Sequence, residues 1–180
     1  MNLLSYWIAN LAYDTFKCSL PCFIVIWLLE VFNMEYNNVW KTIVLFPLAV
    51  VPYSYALSFV FEDESTASTF ILFSNIAAGS IGGMTTYILR FIPDTMAYGD
   101  IAAWALKLFP AFAISDSILF DAAGDLFETS RDSARMRGYN VWYFDRDPLA
   151  MHNVGGDMLA LVLHFILGII VIINYELGSF

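Results

Sequence analysis

The chain has 180 residues, of which 59% are hydrophobic and 14% charged, with a mean hydropathy of +0.66 and a formal net charge of −9. A soluble globular domain carries about a quarter charged residues, so this composition excludes an ordinary soluble fold. It points to an all-α, polytopic integral membrane helix bundle.

A spanning helix needs about 20 apolar residues, because the hydrocarbon layer is roughly 30 Å thick and a helix rises about 1.5 Å per residue. The first candidate, at about 15–32, is apolar in its centre and carries Lys17 near one end and Glu30 near the other. Both side chains can snorkel to an interface, so a span is expected here. Cys18 and Cys22 share a face of it, and with no histidine or third cysteine nearby they are read as packing residues and not metal ligands. The second span, about 43–61, is free of charge but contains Pro47 and Pro52, each of which removes a helical hydrogen bond and favours a kink.

Glu62, Asp63 and Glu64 then interrupt the apolar sequence and form the turn before a third span at about 67–89. Carboxylates at a helix start suit the positive end of the dipole, and Ser65 or Thr66 is placed to cap the first amides. In this third span Gly79 and Gly83 lie four residues apart, with Ala78 and Gly82 in the same spacing one residue earlier. One face is therefore nearly flat, and another helix can approach it closely.

Residues 101–120 have the length of a span but contain Lys107, Pro110 and Asp116. A charge at the bilayer centre costs roughly 2.5–3.5 kcal/mol even on the mildest scale, so a plain span is disfavoured. A re-entrant pair of short helices, broken near Pro110, is expected instead, with protein or water covering the broken backbone. Residues 121–157 read as a polar loop in which Arg131, Arg135, Arg137 and Arg146 alternate with acids and with Tyr139, Trp142 and Tyr143. A solvated loop with an aromatic edge at the headgroups is one reading, and an arginine site for lipid headgroups is the other. His152 lies in this loop and signals little. The last span, about 158–175, is broken only by His164, an intramembrane group that reads either as a functional residue or as a hydrogen bond between helices.

No phosphate-binding loop of the form G-x-x-x-x-G-K-[ST] is present, since Lys17, Lys41 and Lys107 are the only lysines and none follows such a loop. No catalytic residue, bound cofactor or metal site is expected in this chain, nor a nucleic-acid partner. Asp14 and Lys17 interrupt the place where a signal peptide would have its apolar core.

Several short motifs recur in an order that resembles the transmembrane half-domain of the lipid-exporting subfamily A of ABC transporters. That family opens a helix with Tyr-Trp-x-x-Asn-x-x-x-Asp and a later proline, matched by Tyr6, Trp7, Asn10, Asp14 and Pro21. Its next span has Pro-x-x-Tyr and Ser-Phe-x-Phe, matched by Pro52, Tyr55, Ser58, Phe59 and Phe61. Ser-Thr-Ala and Asn-x-x-x-Gly follow, matched by Ser65, Thr66, Ala67, Asn75 and Gly79, and a Phe-Pro pair is matched by Phe109 and Pro110. The family's proline before Ser-Thr-Ala is Glu64 here, its histidine and Gly-Arg-Gly turn after Phe-Pro are absent, and its later Gly-Arg-Asn appears as Gly155, Gly156 and Asp157.

The resemblance implies a fragment of one half-domain, with ATP and Mg bound by a nucleotide-binding domain in the same or another chain, a second half-domain as partner, and membrane lipids as cargo. It makes Tyr53, Tyr55, Asn75, Thr85 and Thr86 candidates to face a lipid path, and interhelical hydrogen bonds are the alternative for each. It also puts the residue 6 end and the Glu62 turn in the cytosol and the arginine-bearing loop outside, against the positive-inside bias. The membrane could be that of the cell surface or of an organelle. Two alternatives of other classes are a free-standing membrane scaffold or channel and a permease subunit that recruits a separate ATPase.

Overall fold

A computed structural model describes residues 3–32, 39–139, 149–151, 153–176 and 178. His152, Trp142, Tyr143 and Arg146 of the expected loop lie outside the described residues. Among the described residues there is no β-strand. The helices are α1 (Leu3–Val31), α2 (Val39–Ser58), α3 (Glu64–Ile76), α4 (Gly83–Phe91), α5 (Met96–Leu106), α6 (Pro110–Met136) and α7 (Val154–Glu176). A π-helical segment, Ala77–Gly82, joins α3 to α4 without a break.

Three of the described helices are long and apolar enough to cross a membrane: Val39–Ser58, the composite Glu64–Phe91, and Val154–Glu176. The expected first span, 15–32, is not among them. It is the second half of α1, a 29-residue helix that carries Asp14, Lys17 and Glu30 along its length. α2 is continuous through Pro47 and Pro52, both buried. α3 starts one residue before the expected cap, with Asp63 at the N-cap position and no side-chain capping bond. Ser65 and Thr66 therefore lie inside the first turn, and the Ser65 carbonyl accepts a bond from Thr69.

α2 and α7 run side by side in the same direction. Pro52 meets Gly168, where an added Cβ would stand 2.7 Å from the Pro52 carbonyl carbon, and Phe59 stacks on Tyr175 at 4.1 Å. α1 runs against them, so that Trp7 reaches Tyr55 and Phe59 edge-on, at 5.6 and 6.1 Å between ring centres. The start of α1, the end of α2 and the end of α7 thus share one end of the bundle, beside the Glu62 turn.

α4 ends in a tight turn at 92–95, and α5 doubles back along it to a break at residues 107–109. α6 then departs from Pro110, with proline in the first turn where its missing N–H costs nothing. Gly79 faces Ala111 and Gly83 faces Ser115, so α6 lies along the flat face that the small residues create. Gly79 is near the middle of Glu64–Phe91, which puts the tip of this helical hairpin about halfway along the bundle.

The expected polar loop at 121–157 requires a correction, because α6 continues as helix to Met136 with a kink at Ala123 (φ −129°, ψ 17°). Ala123, Phe127, Arg131 and Ala134 are buried on one face at helical spacing. Phe127 packs its ring against Phe91 and Tyr87 at 4.8 and 5.2 Å. The loop reading followed the charge content of this stretch and overlooked its period. The reading of Arg131 as a solvated or headgroup-facing side chain falls with it.

Close approach of α2 and α7 depends on the missing side chain at residue 168. Gly168→Val is expected to destabilise the bundle by about 1–3 kcal/mol through overpacking against Pro52, measured as a lower thermal unfolding midpoint of the detergent-solubilised protein. Gly124, which has open space around it, is the control position for the same substitution.

Candidate functional site

The charges that argue against a simple span at 101–120 are gathered by the fold into one buried chain. Arg131 on α6 bonds Asp100 on α5 through Nη2 at 2.7 Å. Arg90 on α4 holds its Nε 3.3 Å from the same Asp100 oxygen, an ion-pair distance at an angle that makes no hydrogen bond. Arg90 Nη1 bonds Asp116 Oδ1 on α6 at 2.7 Å. Lys107, at the hairpin tip, lies 3.5 Å from Asp116 Oδ2 and is hydrogen-bonded to Asp157 on α7. Ser117 donates to the other Asp157 oxygen at 3.0 Å.

Three cations and three carboxylates therefore alternate, so this ion network carries no formal net charge. Arg90, Lys107, Asp116, Arg131 and Asp157 are each at most 7% exposed. An unpaired charge in such a place costs several kcal/mol, whereas alternate pairing removes most of that cost and fixes which helices meet. The chain ties α4, both arms of the hairpin and α7 into one unit. Asp157 is the third residue of the Gly155-Gly156-Asp157 departure noted in the sequence, and here it is the partner of Lys107.

The tip has a second attachment. His164 of α7 places Nε2 2.8 Å from the carbonyl of Leu108 and Nδ1 2.6 Å from the carbonyl of Ala160. The Tyr53 ring of α2 stands edge-on to it at 5.3 Å. A cavity of about 210 Å³ opens beside this contact, walled by Trp104, Leu108, Leu159, Leu163 and Leu167, with Lys107 and His164 as its polar groups. Lys107 also lies over the Trp104 ring at 5.5 Å.

The residues singled out in the sequence fall into separate places. Tyr53 faces α7, while Tyr55 donates to the Asp14 carboxylate of α1. Thr86 is buried and bonds the carbonyls of Gly82 and Gly83, whereas its neighbour Thr85 is exposed. Asn75 is half-buried and its Oδ1 has no hydrogen-bond partner. The fold does not bring these five side chains onto one surface.

Ala78, Gly79 and Gly83 are buried against the hairpin, and Gly82 meets Leu106 of α5. Pro52 and Pro110 are buried, Tyr6, Pro21 and Ser65 are exposed, and Asn10 is half-buried. Trp7 Nε1 donates to Glu176 at 2.6 Å, joining the first and last helices. Tyr139, beyond the end of α6, is hydrogen-bonded to Asp94, which raises its phenol pKa above the ordinary value. Cys18 and Cys22 are free, and no cluster of metal-ligating side chains occurs among the described residues.

Removing one ion from the chain leaves its partners uncompensated. Lys107→Met is expected to destabilise the protein by about 3–5 kcal/mol, and adding Asp157→Asn to it should recover part of that loss. Thermal unfolding of the single and double variants in the same detergent checks both statements.

Comparison with known proteins fits this architecture. The chain is 25% identical to the phospholipid-transporting ATPase ABCA7 of Homo sapiens over 171 residues, covering 88% of this chain and 8% of that protein. The chain thus spans a small part of the length of the curated relative it matches. The sequence model of the family described as ABC-2 family transporter protein matches residues 1–174. A multi-pass bundle with a charge-pinned hairpin, matched to that family along nearly its whole length, belongs to the ABC-2 family of transporter membrane components.

Proposed function

We propose that this chain forms part of the wall of a lipid-moving pathway in an ATP-driven transporter of the subfamily A type. A nucleotide-binding domain, in the same or another chain, supplies ATP hydrolysis, and a second transmembrane half-domain completes the pathway. The observation that carries the reading is the hairpin tip, held halfway along the bundle by paired charges and packed on the flat face at Gly79 and Gly83. An amphiphile crossing a bilayer needs a wall that offers polar groups at that depth without opening a free water channel. The name of the relative, a phospholipid-transporting ATPase, supports lipid as the cargo class.

The same geometry suggests how work reaches the pathway. The start of α1 and the ends of α2 and α7 meet at one end of the bundle through Trp7, Phe59, Tyr175 and Glu176. Force applied there by a nucleotide-binding domain moves α2 and α7 together, because Gly168 seats directly on Pro52. α7 carries the hairpin tip with it through Asp157 and His164. Among the lipid-path candidates, Thr85 offers an exposed hydroxyl and Asn75 an unpartnered carbonyl oxygen. Tyr53, Tyr55 and Thr86 already have partners inside the chain, so their proposed contact with lipid requires those partners to separate during the cycle.

The full-length protein as encoded, reconstituted in liposomes with a headgroup-labelled phospholipid, tests this reading. ATP is expected to change the fraction of label accessible from outside, and Asn75→Leu and Thr85→Val to slow that change several-fold while ATP binding is retained. ATP hydrolysis with no lipid redistribution for any labelled phospholipid overturns the lipid assignment. Absence of any associated ATPase returns the chain to the scaffold or channel class.

A further inference from the structure

The hairpin tip stops about halfway along the bundle, and the cavity of about 210 Å³ opens where its end meets α7. Trp104 and Leu108 of the tip wall one side, and Leu159, Leu163 and Leu167 of α7 the other. All five are exposed, Leu108 to 70%, so the mouth faces the surroundings of the bundle, which at this depth are hydrocarbon.

The two polar groups of the cavity are already engaged. Lys107 is held by Asp157 and Asp116 and lies over the Trp104 ring. Both ring nitrogens of His164 lie against backbone carbonyls, those of Ala160 and Leu108. The tip amides close on the tip itself, Leu108 on Ala105 and Phe109 on Leu106. Water in a cavity needs about two to four polar partners, and a charged headgroup needs a partner of opposite sign that is not already paired. These walls offer neither, whereas a hydrocarbon gains apolar contact on every side. Size narrows the occupant further: a helix, about 10–12 Å across, does not fit, while an apolar cavity of roughly 150 Å³ already admits a benzene-sized hydrocarbon.

From these walls we infer that the cavity is a binding site for one acyl chain of a bilayer phospholipid, seated between the hairpin tip and α7. The headgroup stays at the membrane surface, and the middle of the chain lies against Leu108 and Leu163. The chain adds apolar contact to a tip that is otherwise held on α7 by Asp157 and His164. The site is independent of what the protein transports.

The full-length protein as encoded, in nanodiscs containing phosphatidylcholine with a diazirine at the middle of one acyl chain, tests the inference by irradiation and mass-spectrometric mapping of the adducts. Ile76 and Ile81 are the reference positions. They flank Gly79, which meets Ala111 beside the tip, and at 48% and 65% they are at least as exposed as Leu163 at 47%, without lining the cavity. Labelling at Leu108 and Leu163 is expected to exceed that at Ile76 and Ile81 several-fold, and the excess to vanish when the diazirine sits at the glycerol end of the chain. Ala160→Phe, which fills the cavity from α7, is expected to abolish the excess, and Ile81→Phe to leave it unchanged.

Equal labelling of cavity and reference positions in the unsubstituted protein, a result that needs no variant to fold, means ordinary surface lipid and overturns the proposal. Adducts at Ile76 and Ile81 with none at Leu108 and Leu163 mean that protein covers the mouth, and overturn it too. So does an excess that persists in Ala160→Phe.

Discussion

In hydrocarbon there is no water to satisfy a polar group, and this constraint explains most of the structure. Six buried or nearly buried ions sit in a largely apolar bundle, and they are tolerable as an alternating chain from Arg131 to Asp157. Because consecutive members come from α4, α5, the hairpin tip, α6 and α7, satisfying the charges and assembling the helices are the same event. The ion pairs, with the close contacts at Gly79 and Gly83, fix the depth and register of the hairpin.

The small residues of the Glu64–Phe91 helix serve the same end by a different route. Lipid tails are as apolar as leucine, so helices in a membrane gain most where their backbones come close. At Gly79 and Gly83 the hairpin arm approaches to within the space of a missing side chain. The helix passes through this contact as a π-segment, Ala77–Gly82, which rotates the faces of α3 and α4 relative to one another. α4 can then direct Arg90 at the hairpin, while Asn75 of α3 keeps an unpartnered oxygen.

How much of this was legible in the sequence varies by element. The all-α membrane fold followed from composition, and the break near Pro110 from a residue that cannot continue a helix. Lys107 and Asp116 stood out as obstacles to a span, but nothing local named their partners, which lie at sequence separations of 26 and 50 for the Arg90–Asp116 and Lys107–Asp157 bonds. The spacing of Ala123, Phe127, Arg131 and Ala134 was readable and was masked by the charges between them. Asp157 stands where the family pattern has an asparagine, and its carboxylate became intelligible only against Lys107.

By itself the sequence determined that the chain enters a membrane, where its longest apolar helices lie, and where the backbone must break. These are properties of composition and of single residues: apolar length against bilayer thickness, and a proline without an N–H. Only the tertiary structure decided which charges pair, how deep the hairpin reaches, and that His164 meets Leu108. The physical reason is that an ion pair or a close helix contact depends on distance in space, and its value is set by the dielectric and the neighbours that folding itself creates.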